Sequence, residues 1–164
     1  KQLRFRYFQD FYCEEFDSAI SDDSRKEIGL DGEQFVLDAC QYDSDYPQLL
    51  KPFLERMNGF MVCYSIVNRD SFGVAESFCN QIKEVRGDDA PIVLCATQSD
   101  REKERAILKE EGEKIAQRFN CPFFETSSKL DAGVNEAFNA IAQMMKERKS
   151  RDKQSKKKEK CLVI

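Results

Sequence analysis

The stretch that decides the fold comprises residues 60–96, which read FMVCYSIVNRDSFGVAESFCNQIKEVRGDDAPIVLCA. Nearly continuous apolar runs open and close it, at 60–66 and 92–96, and such runs are typical of parallel strands covered on both faces. Between the two runs, apolar residues recur at helical spacing after Asp70: Phe72, Ala75, Phe78, Cys79, Ile82 and Val85. A strand, a helix and a second strand in this order predict a crossover unit of a parallel sheet.

The same alternation continues on both sides of this unit. Short apolar runs at 35–37 and 123–124 predict two more strands, and residues 26–37 predict a hairpin whose Asp31-Gly32 pair is typical of a type I′ turn. Two further helical faces consist of Ile107, Leu108, Ile115 and Phe119, and of Val134, Phe138, Ile141 and Met145. Strands that alternate with helices predict an α/β fold, a sheet with crossover helices on both faces.

Composition excludes several classes of protein. The chain has 164 residues, of which 41% are hydrophobic and 34% charged, as expected for one folded domain and not for a disordered chain. No run approaches the roughly 18 apolar residues of a transmembrane helix. The absence of histidine excludes an imidazole base and a histidine-bound metal. The seven cysteines form no CxxC pair and several lie in apolar runs, so we expect buried free thiols in a reduced, cytosolic protein.

Charge divides the chain into two parts. Residues 146–160 include nine basic and three acidic residues, whereas residues 10–45 include twelve acidic and two basic ones. We therefore expect a folded domain over residues 1–148 and a basic tail over residues 149–164. Because the first residue is lysine and not methionine, we also expect the domain to be incomplete at its N-terminus.

The tail ends in a C-a-a-X box, Cys161-Leu162-Val163-Ile164, which predicts prenylation of Cys161, with geranylgeranyl favoured. Four upstream lysines supply the second membrane signal that a single lipid chain needs: Lys156, Lys157, Lys158 and Lys160. No aromatic residues alternate with these lysines, so we expect anionic inner-leaflet lipids as partners and no nucleic acid. The tail thus predicts a lipid-anchored protein on the cytoplasmic face of the plasma membrane or of an endomembrane.

The order of these segments resembles the Ras family of small GTPases. Residues 26–38 resemble the second and third strands of that family, and residues 68–85 resemble its third helix. Residues 90–94, APIVL, resemble the next strand, and residues 124–129, FETSSK, resemble the guanine-side loop, usually written E-T-S-A-K. The resemblance covers essentially the whole chain, and the last motif together with the C-a-a-X box makes it specific.

The resemblance implies a guanine-side pocket formed by Tyr12, Asp100, Ser127, Ser128 and Lys129. Asp100 would accept hydrogen bonds from the base, and the other residues of the set would surround it, with Phe11 as suited as Tyr12 to offer an aromatic edge. GTP or GDP would be the ligand, and Mg²⁺ would bind only together with a nucleotide.

Other positions depart from the family's motifs. The phosphate loop G-x-x-x-x-G-K-[ST] is absent from the sequence, and Ala19 stands where the family has the switch I threonine that binds Mg²⁺. Residues 41–45, QYDSD, replace D-T-A-G-Q, so the Mg²⁺ aspartate and the water-positioning glutamine are both absent. Residues 97–100, TQSD, keep only the aspartate of N-K-x-D. We therefore predict neither a catalytic residue nor a metal ligand.

The resemblance also implies a structural problem. In the family, the strand before the phosphate loop lies in the middle of the sheet, and a chain that begins after it would have a gap there. Unpaired backbone groups on both flanking strands would then have to be met by upstream residues, by closure of the sheet or by a strand from another chain.

The sequence leaves two alternative functions. The first is a membrane-anchored pseudo-GTPase in signal transduction, which presents a switch-like surface over residues 14–28 and 42–56 to effector or regulator proteins and hydrolyses GTP weakly or not at all. The second is a functional GTP-binding switch whose phosphate loop lies upstream of Lys1.

Overall fold

The computed structural model describes residues 2–12, 24–42, 46–151 and 159–163. Helices and strands alternate along the described chain: α1 (Gln2–Gln9), β1 (Arg25–Leu30), β2 (Glu33–Gln41), α2 (Leu50–Arg56), β3 (Gly59–Ser65), α3 (Arg69–Arg86), β4 (Ile92–Thr97), α4 (Lys109–Phe119), β5 (Phe123–Thr126), α5 (Val134–Arg151) and β6 (Glu159–Val163). Short 3₁₀ helices lie at Pro47–Leu49 and Ser99–Glu104. The predicted α/β class is confirmed.

The strands form one sheet in the order β1-β2-β6-β3-β4-β5. β1 and β2 are antiparallel, and every other pair of neighbours is parallel. Leu30 pairs with Glu33 across a two-residue turn in which Asp31 has φ 51° and Gly32 has φ 80°. Both angles are positive, as a type I′ turn requires, so the predicted hairpin is confirmed.

The stretch over residues 60–96 folds as predicted. β3 and β4 pair from Phe60 with Ile92 to Ser65 with Thr97. Asn68 caps α3, because its Oδ1 accepts a hydrogen bond from the backbone N–H of Ser71 at 3.1 Å.

Helices cover both faces of the sheet. One core lies under α2, α3 and α4 and includes Leu54, Phe60, Val62, Ile82, Leu94 and Ile115. The other lies under α1 and α5 and includes Leu3, Leu37, Met61, Val93, Phe138 and Ile141. Consecutive residues of β3 alternate between the two cores, which explains why its sequence is nearly continuously apolar.

The slot between β2 and β3 is the sheet position that we expected to lack a strand. β6 fills it, and Cys161 of β6 lies level with Ala39 on one side and Gly59 on the other. The backbone N–H of Tyr42 donates to the carbonyl oxygen of Val163 at 3.1 Å, and the side chain of Val163 is buried. This arrangement differs from the three that we considered, since a segment from the far end of the same chain pairs with both edges.

Candidate functional site

A cavity of about 640 Å³ opens at the carboxyl ends of the parallel strands. It is lined by Gln2, Leu3, Tyr12, Gln41, Cys63, Thr97, Gln98, Asp100, Arg101, Ser128, Lys129 and Val163. These residues come from the start of α1 and the segment after it, from β3, from the ends of β2, β4 and β6, and from the loops after β4 and β5. Open α/β sheets bind their ligands in this position, outside the carboxyl ends of the strands.

The structure brings the five residues of the predicted guanine-side pocket together. Tyr12, Asp100, Ser128 and Lys129 line the cavity, and Ser127 is fully buried beside it. The hydroxyl of Ser127 donates to Oδ1 of Asp100 at 2.5 Å. Asp100 makes no other side-chain hydrogen bond among the described residues, so its second oxygen can accept from a ligand N–H.

Three features fix the loop after β5: a pair of backbone hydrogen bonds, a hydrogen bond to α1 and a closely packed glycine. The backbones of Ser127 and Ala132 exchange hydrogen bonds of 2.9 and 3.0 Å. Nε of Arg6 donates to the carbonyl oxygen of Ser128 at 2.8 Å, which ties the loop to α1. Gly133 has φ 69°, and a Cβ there would lie 2.4 Å from the carbonyl oxygen of Glu125, so this position requires glycine.

Side-chain hydrogen bonds to β3 fix the end of β4 and the residue that follows it. The hydroxyl of Thr97 donates to the carbonyl oxygen of Tyr64 at 2.9 Å. Gln98 adopts the left-handed conformation, with φ 63°, and its side-chain oxygen accepts from the hydroxyl of Ser65. A left-handed residue other than glycine costs about 1–3 kcal/mol, and such strain persists only where the surrounding contacts enforce it.

Arg105 joins the segment that carries Asp100 to β5, the strand that leads to Ser127. Its Nε lies 2.8 Å from both carboxylate oxygens of Glu102, and its Nη1 donates to Oε1 of Glu125 in β5 at 2.7 Å. The hydrogen bond to Glu102 has the largest effect on the pKa of Arg105 and raises it above its ordinary value. The hydrogen bond to Glu125 raises this pKa further.

The opposite wall of the cavity is apolar or neutral. It consists of Gln2, Leu3, Gln41 and Val163, and the carboxamide oxygen of Gln41 is buried with no hydrogen-bond partner among the described residues. Among the described lining residues, the two basic side chains are those of Arg101 and Lys129, which belong to the loops after β4 and β5. The described residues therefore fit a purine base on the side of Asp100, but they do not fit a magnesium triphosphate at the opposite wall.

Sequence reasoning missed much of this wall. Leu3 and Gln2 begin a helix for which we made no prediction, and Val163 was assigned to the C-a-a-X box alone. No local pattern could have found Val163, because its position depends on the pairing of β6 with distant strands.

Several predicted positions lie outside the described residues: Ala19, 43–45, Lys156, Lys157 and Lys158. Lys160 and Cys161 belong to β6. Within the described ranges, no group of three or more cysteine, aspartate or glutamate residues is arranged to hold a metal ion. No helix in the same ranges combines the length and the apolar character that crossing a membrane would require.

A mainly parallel sheet, helices on both faces and a cavity at the carboxyl ends of the strands define an open α/β protein. The family model described as "Ras family" matches residues 1–147. The chain belongs to the Ras family, as the sequence analysis predicted. Ras-family proteins generally bind GTP or GDP with Mg²⁺ and interact with effectors and regulators in signalling.

Two curated relatives show the same membership. The chain is 30% identical to Ras-like protein 1 of Saccharomyces cerevisiae over 148 residues, which are 88% of this chain and 48% of the relative. It is 30% identical to Ras-like protein rasU of Dictyostelium discoideum over 143 residues, which are 86% of this chain and 67% of the relative. The chain thus spans about half the length of the first relative and two thirds of the second.

Proposed function

We propose that this chain is a membrane-anchored signalling protein of the small GTPase superfamily that acts through protein–protein interaction, with weak or no GTP hydrolysis. The observation that carries the proposal is the apolar and neutral wall that Gln2, Leu3 and Gln41 form among the described residues. A nucleoside triphosphate brings about four negative charges, and phosphoryl transfer depends almost entirely on cations and hydrogen-bond donors placed around them. None of these three side chains supplies a positive charge.

A partner surface is supported by exposed apolar residues around α2. Tyr46 and Leu49 are 53% and 43% exposed, whereas the core residues of the same region are buried. A groove of about 580 Å³ runs between α2 and α3 and is lined in part by Leu50 and Val85. Exposed apolar surface of this kind is typical of protein-binding sites, and the acidic stretch over residues 10–45 would steer a basic effector towards it.

The anchor is a prenyl group on Cys161, assisted by the upstream lysines. One lipid chain binds membranes only marginally, and each lysine near an anionic leaflet adds about 1 kcal/mol. We expect Cys161→Ser to release the protein from membranes, with Cys121→Ser as the matched control, and high salt to weaken the binding of the lipidated protein to anionic vesicles. A Cys161→Ser protein that sediments with membranes as before would exclude this anchor.

The nucleotide content of the purified protein tests the main proposal. We would isolate the protein with its native N-terminus and identify any nucleotide released on denaturation, then measure the thermal shift in excess GTP and Mg²⁺. We expect an empty, folded protein with little or no shift. Stoichiometric GDP or GTP that is lost in Asp100→Ala, but retained in the exposed control Asp88→Ala, would refute the pseudo-GTPase and favour the functional switch.

A further inference from the structure

The residues that fill the slot between β2 and β3 also belong to the C-a-a-X box. Cys161, Leu162 and Val163 are three of the four residues of the C-a-a-X box, and they pair with Gly59, Phe60 and Met61 of β3. On the other side, the same three residues pair with Ala39, Cys40 and Gln41 of β2. The backbone of the box is therefore engaged on both sides in the middle of the sheet.

A prenyltransferase needs this backbone to be free. The reaction joins the sulfur of Cys161 to C1 of a prenyl diphosphate: the C–S bond forms, the C–O bond to the diphosphate breaks, and the thiol proton passes to solvent. The transferase must bind the tetrapeptide as a separate chain, and each backbone N–H or C=O paired within the sheet is unavailable to it.

β6 is an unusual interior strand. It pairs with β3 over only three residues, whereas β3 and β4 pair over six. It begins with Glu159 and Lys160, although strands covered on both faces are normally apolar throughout. Residues 152–158, which join it to α5, contain four lysines. These features make β6 a better candidate for release than the neighbouring β3, in which residues 59–64 are all hydrophobic or glycine.

We propose that the sheet-bound β6 and the prenylated Cys161 are mutually exclusive states, so that release of the strand controls lipidation. The proposal rests on the lipid anchor proposed above. Release leaves the facing edges of β2 and β3 unpaired, and each buried backbone group that loses its partner disfavours the released state. Only a small fraction of the protein is then competent for transfer, and the apparent rate falls by that fraction.

The test compares prenyl transfer to the folded chain with transfer to a free peptide of residues 152–164, using the same transferase and geranylgeranyl diphosphate, then farnesyl diphosphate. The rate with the folded chain divided by the rate with the peptide measures how accessible the C-a-a-X box is in the folded chain. Lys160→Pro removes a backbone N–H within β6, and Lys158→Pro makes the same change upstream of the strand. Each variant is compared with a peptide that carries the same substitution, which cancels any effect on the transferase itself.

We expect the ratio for the wild-type chain to be at least about tenfold below one. The ratio for Lys158→Pro should equal the wild-type ratio, and the ratio for Lys160→Pro should be close to one. Backbone hydrogen exchange of residues 161–163 should be slow in the wild-type chain and fast in Lys160→Pro. A wild-type ratio of one, or equal effects of the two prolines, would overturn the proposal. A peptide that is no substrate would overturn the lipid anchor and the competition together, while slow exchange would still support the strand.

Discussion

Among single residues, Arg105 has the most specific role in shaping the cavity. Its side chain is 13% exposed, and its guanidinium bonds Glu102 with two nitrogens and Glu125 with a third. A lysine carries the same charge but cannot form this planar fork. Arg105 thus holds the loop that contains Asp100 against the strand that leads to Ser127.

We predict that Arg105→Lys lowers the free energy of unfolding by about 1–3 kcal/mol, because hydrogen bonds between charged and partly buried groups are lost. Arg101→Lys is the matched control in the same segment. The side chains of Arg101 and Glu104 are 40% and 58% exposed, and an exposed ion pair contributes little to stability. The midpoint of urea unfolding measures both changes. Equal shifts for the two variants would show that Arg105 has no special structural role.

The proximity of Asp100 and Ser127 could be predicted from sequence, and the composition of the opposite wall could not. Asp100 and Ser127 stand in short motifs at the ends of apolar runs, and a local motif is enough to place them. Gln41 and Val163 contribute to the wall only because β2 and β6 end side by side. That proximity follows from strand pairing, which no window of sequence contains.

At the level of elements, α4 approaches the sheet through a glycine. A Cβ built on Gly112 would lie 2.3 Å from the hydroxyl oxygen of Tyr64 and 2.7 Å from the ring of Phe123. Gly73 in α3 is also helical, but among the described residues a Cβ there would meet no heavy atom within 4 Å apart from its own turn of helix. The two glycines therefore differ in packing while sharing the backbone conformation.

We predict opposite effects for alanine at these two positions. Gly112→Ala should lower the free energy of unfolding by about 1–3 kcal/mol, since Tyr64 and Phe123 must move to make room. Gly73→Ala should raise it by about 0.5–1 kcal/mol, because alanine favours a helix more than glycine does. Thermal unfolding of both variants provides the measurement. A stabilising Gly112→Ala would mean that α4 does not pack on the sheet at this point.

Elements with a strong local pattern were predicted close to their observed bounds. The runs at 60–66 and 92–96 correspond to β3 and β4, and the helical face after Asp70 corresponds to α3, which extends from Arg69 to Arg86. β6 was not predicted as a strand, because Glu159, Lys160 and the preceding lysines are typical of a solvated tail. It becomes a strand because two parallel edges flank the slot, which is a property of the sheet and not of the segment.

For the whole molecule, β6 determines whether the sheet is one unit or two. Without it, β1 and β2 are separated from β3, β4 and β5, since among the described strands β2 and β3 both pair with β6 and not with each other. A strand supplied by any other segment or chain would have to displace β6 from the same slot. The stability of the domain should therefore depend on a segment that resembles a tail in its sequence.

We predict that removal of residues 159–164 lowers the free energy of unfolding by several kcal/mol or abolishes cooperative unfolding. The loss combines unpaired backbone groups on β2 and β3 with exposure of the core around Val163, which is only 5% exposed in the complete sheet. Replacement of Lys156, Lys157 and Lys158 by serine in the full chain is the control, because it changes the tail without removing the strand. Urea unfolding followed by circular dichroism measures each variant, and an excess of the peptide 159–164 should restore the midpoint of the truncated chain. If the truncated chain and the 164-residue chain unfold at the same urea concentration, the tail does not complete the sheet, and another segment must fill the slot between β2 and β3.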